Sequence, residues 1–288
     1  MLTRPATRLL LTCCVLACGA GHGPSTARAP IGWALQSCRA SRQAITALLV
    51  CGVEIKNAKI SPSSRALDGV DWGAPFPYSE RDLTPLDAGS DEFFYVLPRF
   101  VNHAGDEARA ELADFHSAVL PNSGEGAVLD LCSSFTSHYP KGYRAQRCVA
   151  LGLNPLELLA NPSKTEFRVQ NLNTNPSLSD DDGTFDVVTL SLSVDYMTKP
   201  LQLFAEIHRV LKPGGIATMA FTNRCFQGKV VRRWLKPFDE SAHARLVGAY
   251  FKYSAEWSSV EVADVSPPGW TGISDPMIVV CARKAAVA

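Results

Sequence analysis

The chain has 288 residues, 46% of them hydrophobic, with 28 basic and 28 acidic residues and no net formal charge. That is enough apolar content for a packed core, which excludes disorder throughout, and enough length for one catalytic-sized domain with additions. The charge is unevenly spread: residues 1–66 hold eight basic residues against the single acid Glu54, while the rest holds 20 basic and 27 acidic residues. An acidic body argues against a nucleic-acid partner, because that binding relies on neutralising phosphates.

Residues 1–53 lack any acid. Within them LLLTCCVLACGAG (9–21) follows Arg4 and Arg8 and precedes Ala27-Arg28-Ala29, and AITALLVCGV (44–53) follows Arg39 and Arg42 and precedes Ser64-Arg65-Ala66. Each is an apolar run too short for a comfortable membrane span, behind arginine and ahead of small residues, as in a signal peptide. Tandem leaders of this kind resemble the multi-part transit peptides of algal plastid proteins. Residues 1–66 are therefore expected to be a targeting leader, disordered or cleaved, that directs the chain to the plastid or its thylakoid. The other reading is the secretory pathway or a single N-terminal anchor, and membrane contact is expected only through an uncleaved leader.

Residues 67–90 are turn-rich and read as an extended arm. EFFYVLPRFVNH (92–103) is aromatic and apolar; Phe93, Phe94 and Phe100 are expected in the core, while Tyr95, Arg99 and His103 offer a lid. Asp106 caps a predicted helix with Ala108, Leu112, Phe115 and Val119 on one face, ended by Pro121. Residues 67–121 thus form an arm and capping helix, and 122–288 form the main body.

From there strand and helix alternate. AVLDLC (127–132) is the first strand, and a short helix is predicted over Tyr139–Gln146. CVALGLN (148–154), EFRVQNL (166–172) and the largely apolar FDVVTLSLS (185–193) follow as strands, with PLELLA (155–160) helical. Pro200 opens a helix carrying Leu201, Phe204, Ile207 and Leu211, closed by Gly214-Gly215. IATMAFT (216–222) is a fifth strand. Helices are predicted around Lys229–Leu235 and from Asp239 to about Tyr250. VEVADV (260–265) and MIVVCARK (277–284) make a terminal antiparallel pair. The sum is an α/β fold: a doubly wound, seven-stranded, mostly parallel, Rossmann-like sheet with an N-terminal helical cap. No Cys/His spacing suggests a metal, and the thiols read as buried and reduced.

These pieces resemble the class I S-adenosylmethionine-dependent methyltransferases, in particular the type 11 subgroup and a plant and algal plastid-associated branch of it. Phe185-Asp186-Val187-Val188, Lys199-Pro200 and Glu206-Ile207-His208-Arg209-Val210-Leu211-Lys212-Pro213-Gly214-Gly215 are similar to its fourth strand, helix and fifth strand, and Val128-Leu129-Asp130-Leu131 resembles its first motif. The resemblance implies methyl transfer from S-adenosyl-L-methionine to a small-molecule acceptor. It also implies that Asp130 and the loop Cys132, Ser134, Thr136 line the methionine slot. By position Asn154 would face the ribose and Asn171 the adenine edge, with Leu153 and Leu172 on its faces. His138, Asp195 and Tyr196 fall on the acceptor side, where either of the last two would orient or deprotonate an acceptor. Three family glycines are replaced by Cys132, Ser134 and Thr136, and two family acids by Asn154 and Asn171. A neutral amide accepts a ribose hydroxyl more weakly than a carboxylate. The residues alone leave other readings open: Asp130 as a turn residue, Asn154 and Asn171 as caps, Asp195 as a helix cap. The competing function is a non-catalytic binding or assembly protein on a methyltransferase scaffold.

Overall fold

A computed structural model describes residues 47–236, 239–268 and 274–287. The tandem leader expected over 1–46 lies outside the described residues. Its second half does not: Leu48–Val50 (β1) and Val53–Ile55 (β2) pair antiparallel across a two-residue turn in which Cys51 and Gly52 both have positive φ. Val50, Cys51, Ile55 and Ala58 are buried. They pack with Leu112, Phe115, Val279 and Cys281 in one apolar cluster. The expectation of a leader through residue 66 is corrected accordingly. Residues 47–66 belong to the folded body, because an acid-free apolar segment is equally the composition of a hairpin that closes a core.

The body is a seven-stranded sheet. Ala127–Leu131 (β3), Arg147–Gly152 (β4), Glu166–Val169 (β5), Phe185–Ser191 (β6) and Leu211–Phe221 (β7) are parallel, and Trp257–Asp264 (β8) and Ile278–Lys284 (β9) complete it in the order β5-β4-β3-β6-β7-β9-β8. β9 runs antiparallel to both its neighbours, as the predicted terminal pair requires. β3, β4 and β6 read as near-continuous apolar runs because helices or loops cover both of their faces.

Helices Pro200–Val210 (α4) and Glu240–Ser254 (α5) bury Phe204, Ile207, Tyr250 and Phe251 against one face. Asp239 caps α5, its side chain accepting from Ala242 N at 2.7 Å. Helix Asp106–Val119 (α2) buries its predicted stripe of Ala108, Leu112, Phe115 and Val119 on the other face, beside the hairpin. It therefore packs on the sheet, and does not cap the strand ends. The cover over the carboxyl edge is the stretch 85–104, whose one short helix is Asp91–Phe94 (α1).

Two predicted helices are absent. Residues 139–146 form turns, with positive φ at His138 and Gly142 and a proline between them, conformations that no helix accommodates. Tyr139 and Tyr143 from this loop pack on Val128, Cys148 and Val187, covering the face the helix would have covered. Near Lys229–Leu235 only a short 3-10 turn, Arg232–Leu235, forms. Phe93 and Phe100, expected in the core, lie on the surface.

Candidate functional site

The parallel strands deliver Asp130, Asn154, Asn171 and Asp195 to one edge of the sheet, around the point where the chain reverses between β3 and β6. Here a cavity of about 290 Å³ is lined by the residues that follow β3, β4, β5, β6 and β7 and by the covering stretch. This is where doubly wound sheets place their ligands.

The floor begins at the end of β3. Cys132 adopts a positive φ of 52° and turns the chain so that Ser133 N donates to Leu151 O at 2.8 Å. Gly152 lies directly beneath: a Cβ there would meet Ser133 O at 2.2 Å. The buried Asp130 accepts from Ser133 Oγ at 2.5 Å and from Thr189 Oγ1 at 2.9 Å. Thr189 in turn accepts from the Tyr139 hydroxyl at 2.7 Å. Burial pushes Asp130 up to about 6, against the pull of these hydroxyls. Asn161, which sequence reasoning missed, ties the loop together by donating to Ser133 Oγ, Ser134 O and Ser137 Oγ at 3.1, 3.0 and 2.8 Å. The loop is thus stapled through hydroxyls and the Asn161 amide.

Asn154 caps helix Pro155–Ala160 (α3), its Oδ1 accepting from Leu156 N and Glu157 N at 3.0 and 3.2 Å. Its Nδ2 donates to Tyr95 O and Val96 O at 3.0 and 3.2 Å. An amide has two donor and two acceptor positions, and all four are used. As placed, Asn154 has nothing left for a ribose. Asn171 is likewise engaged, donating to Glu92 Oε1 at 2.6 Å and accepting from Asn173 N at 2.9 Å. The group with spare acceptor capacity is Glu157, also missed by the sequence reading. Its two oxygens accept from Arg99 N at 2.6 Å and Ser134 Oγ at 2.5 Å, it lines the cavity, and a carboxylate has about four lone-pair sites. The signal available in the sequence was an acid in the first turn of a capped helix.

Cys132, Ser134, Thr136, His138, Leu172 and Tyr196 all line the cavity; Asp195 does not. It is buried behind the wall, where burial raises its carboxyl to about 8, partly offset by its own backbone and by the Tyr196 hydroxyl. The Tyr196 oxygen accepts from Phe226 N at 2.9 Å, and burial raises that phenol, so it stays protonated. Burial lowers His138 to about 3, so its imidazole is neutral.

Two cavity-lining residues carry polar atoms that are buried without a protein partner: Arg99 Nη1 and Ser191 Oγ. The Arg99 guanidinium lies over the rings of Phe94 and Phe226 at 4.3 and 5.1 Å, and Nη2 donates to Phe94 O at 3.0 Å. An unsatisfied buried donor is costly, and both atoms belong to residues that line one cavity, where a polar ligand would satisfy them. Among the described residues no group of three or more His, Cys, Asp or Glu could hold a metal, and no helix is long and apolar enough to cross a membrane.

The buried acids fix a pH dependence. Folded Asp195 keeps its proton up to about pH 8, whereas an unperturbed aspartate loses it near 3.8. Its stability contribution is complete below 3.8 and is lost as pH rises to about 8. Asp130, raised to about 6, acts in the same sense over the lower part of that window. His116 and His138, lowered from 6.5 to about 4 and about 3, act oppositely: their contribution is complete above 6.5 and is lost as pH falls through those values. Of these four, Asp195 alone titrates between pH 6.5 and 8. Stability should therefore fall as pH rises there, by up to roughly 1 kcal/mol per unit. Asp195→Asn should flatten that slope; melting temperatures at both pH values check it, and an unchanged slope contradicts it.

Residues 133–219 match the family model described as "Methyltransferase domain". No curated protein matches the sequence. Among solved structures, the chain is similar to an S-adenosylmethionine-dependent methyltransferase from Mesorhizobium loti, with 18% identity over 57% of this chain and 94% of that one and a TM-score of 0.40. It is also similar to the PH0226 protein of Pyrococcus horikoshii, with 18% identity over 68% and 100% and a TM-score of 0.44. The [4+2]-cyclase SpnF shares 17% identity over 75% and 100%, with a TM-score of 0.45. A methyltransferase domain implies S-adenosyl-L-methionine as its cofactor. The stretch 133–219 is thus similar to a methyltransferase domain, and it lies within a doubly wound, Rossmann-like sheet whose cavity sits at the switch point.

Proposed function

We propose that the cavity binds S-adenosyl-L-methionine and that the chain transfers its methyl group to a small acceptor. The observation that carries this reading is the pair of unsatisfied groups, Arg99 Nη1 and Ser191 Oγ, on the walls of one cavity at the sheet's switch point. They suit the carboxylate and ammonium of an amino-acid end. Glu157 supplies the charged acceptor for ribose hydroxyls that Asn154 cannot, and Leu153 and Leu172 supply apolar surface for a purine.

When bound, the cofactor supplies an electrophilic methyl group, so the chain's tasks are alignment, exclusion of water and removal of a proton. The covering stretch 85–104 excludes water. It is held across the strand ends by Asn154, Asn171 and Glu157, and by buried Lys229, whose Nζ donates to Gly89 O at 2.5 Å and lies 3.3 Å from Asp91 Oδ1. Tyr196 borders the cavity with Asp195 behind it. A carboxyl raised to about 8 is protonated near neutral pH, so it takes a proton through that phenol only in the ionised form that prevails above about pH 8. His138, neutral, orients the acceptor.

The non-catalytic alternative draws on the engagement of Asn154 and Asn171 by the protein's own covering stretch. Titration calorimetry with S-adenosylhomocysteine separates the two. The methyltransferase reading expects micromolar binding by the full chain, about tenfold weaker in Glu157→Gln, where a charge-assisted bond becomes a neutral one. Absence of binding at millimolar ligand contradicts it. We also propose, on the leader pattern, that the protein works in the plastid; fluorescence of the full chain fused to a C-terminal reporter and found outside plastids contradicts that.

A further inference from the structure

The covering stretch presents an apolar surface that packing does not explain. Phe93, Val96, Leu97, Phe100 and Val101 are all more than half exposed, Phe93 by 81% and Leu97 by 73%. The backbone beneath is fixed: Asn154 holds Tyr95 O and Val96 O, and Glu157 holds Arg99 N. These side chains are therefore held outward by bonds made at the site itself. Scattered exposed apolar residues are ordinary, whereas five within nine positions of one segment are not.

The patch runs into the cavity. Val101 belongs both to the exposed group and to the cavity lining, and the Phe100 ring meets that of Phe135, a cavity residue, edge to face at 5.8 Å. The cavity's size decides what the patch is for. Sites for drug-sized ligands run from roughly 300 to 1,000 Å³. At about 290 Å³ the cavity lies at the lower end of that range, so a nucleoside cofactor would occupy most of it. A bulky acceptor would then extend to the mouth, where Val101 and Phe100 present apolar surface. Resting on the methyltransferase reading, we infer that the acceptor is an amphiphile. Its polar reacting end enters beside Tyr196 and His138, and its hydrocarbon tail lies along Val101, Phe100 and Leu97.

The test uses the full chain saturated with S-adenosylhomocysteine, titrated with 4-butylphenol, 4-hexylphenol and 4-octylphenol. A tail buried on the rim gains about 0.8 kcal/mol per methylene, or about a fourfold fall in dissociation constant for each carbon added. The double variant Leu97→Ser/Phe100→Ser alters two exposed side chains outside the cavity lining, and should flatten the series while S-adenosylhomocysteine still titrates. Equal affinity for the three phenols, or a slope unchanged in the variant, overturns the inference and leaves the cofactor reading standing. A flat series with flotation on phosphatidylcholine vesicles that the variant loses also overturns it, in favour of a membrane-contact surface. If S-adenosylhomocysteine itself fails to bind, the cofactor reading falls and takes this inference with it.

Discussion

Gly152→Ala is expected to lower the melting temperature by roughly 10 °C and to abolish S-adenosylhomocysteine binding. The added Cβ would sit 2.2 Å from Ser133 O, and that atom cannot retreat. It belongs to a residue whose N–H is bonded to Leu151 O at 2.8 Å, whose hydroxyl is bonded to Asp130, and whose neighbour Ser134 is held by Asn161. Relief requires lifting the whole turn off β4, at a cost of about 3 kcal/mol, the upper end for overpacking a tight interior. For a domain of this size that corresponds to the shift named. Because the turn is also the cavity floor, stability and binding should fail together. Normal melting with lost binding would show the loop to be displaced freely, and would contradict the stapled-floor account.

A fragment beginning at Leu67 is expected to aggregate or remain unfolded, whereas one beginning at Ala44, where the compact unit starts, should fold. The shorter fragment loses Val50, Cys51, Ile55 and Ala58 from the cluster on α2 and β9. It also loses the bonds from Arg283 Nε to Cys51 O at 2.7 Å, from Cys51 N to Glu261 Oε2 at 3.1 Å and from Lys59 N to Asp264 O at 2.8 Å. A buried Val or Ile stabilises by about 1.5–3 kcal/mol, so the total loss is about 5 kcal/mol, comparable with the whole net stability of an ordinary domain. Circular dichroism of the two purified fragments checks this. A cooperative melt from the shorter one would return residues 47–66 to the leader. The same comparison bounds targeting: a cleavage after Ala66 would remove part of the core, so any processing consistent with this fold lies upstream of Leu48.

Much of the sheet was legible because its signals are local. Short apolar, β-branched runs such as FDVVTLSLS favour buried strands, and Pro200 and Asp239 mark helix starts with the chemistry of their own side chains. What was not legible depended on partners distant in sequence. The hairpin at 48–55 looks like a leader until Cys281 and Phe115 are seen against it. Residues 139–146 have helix-permitting neighbours, yet Tyr139 and Tyr143 are committed to the sheet face. Asn154 was placed at the correct edge, but its four bonds come partly from a segment 59 and 58 residues away, which no local pattern announces. Glu157 and Asn161 escaped notice for the same reason, since their partners lie 20 or more residues off. Phe93 and Phe100 failed in the other direction: hydrophobicity argued for the core, and hydrogen bonds on the backbone beside them hold them outside it.

The central claim is that one cavity at the β3–β6 switch point receives the cofactor, with its amino-acid end at Arg99 and Ser191 and its ribose at Glu157. A crystal structure of the full chain grown with S-adenosylhomocysteine tests it most directly. The account predicts a ligand carboxylate within hydrogen-bond distance of Arg99 Nη1, and ribose hydroxyls facing the Glu157 carboxylate. Ligand bound elsewhere, or a cavity that stays filled by solvent at millimolar S-adenosylhomocysteine, would contradict it.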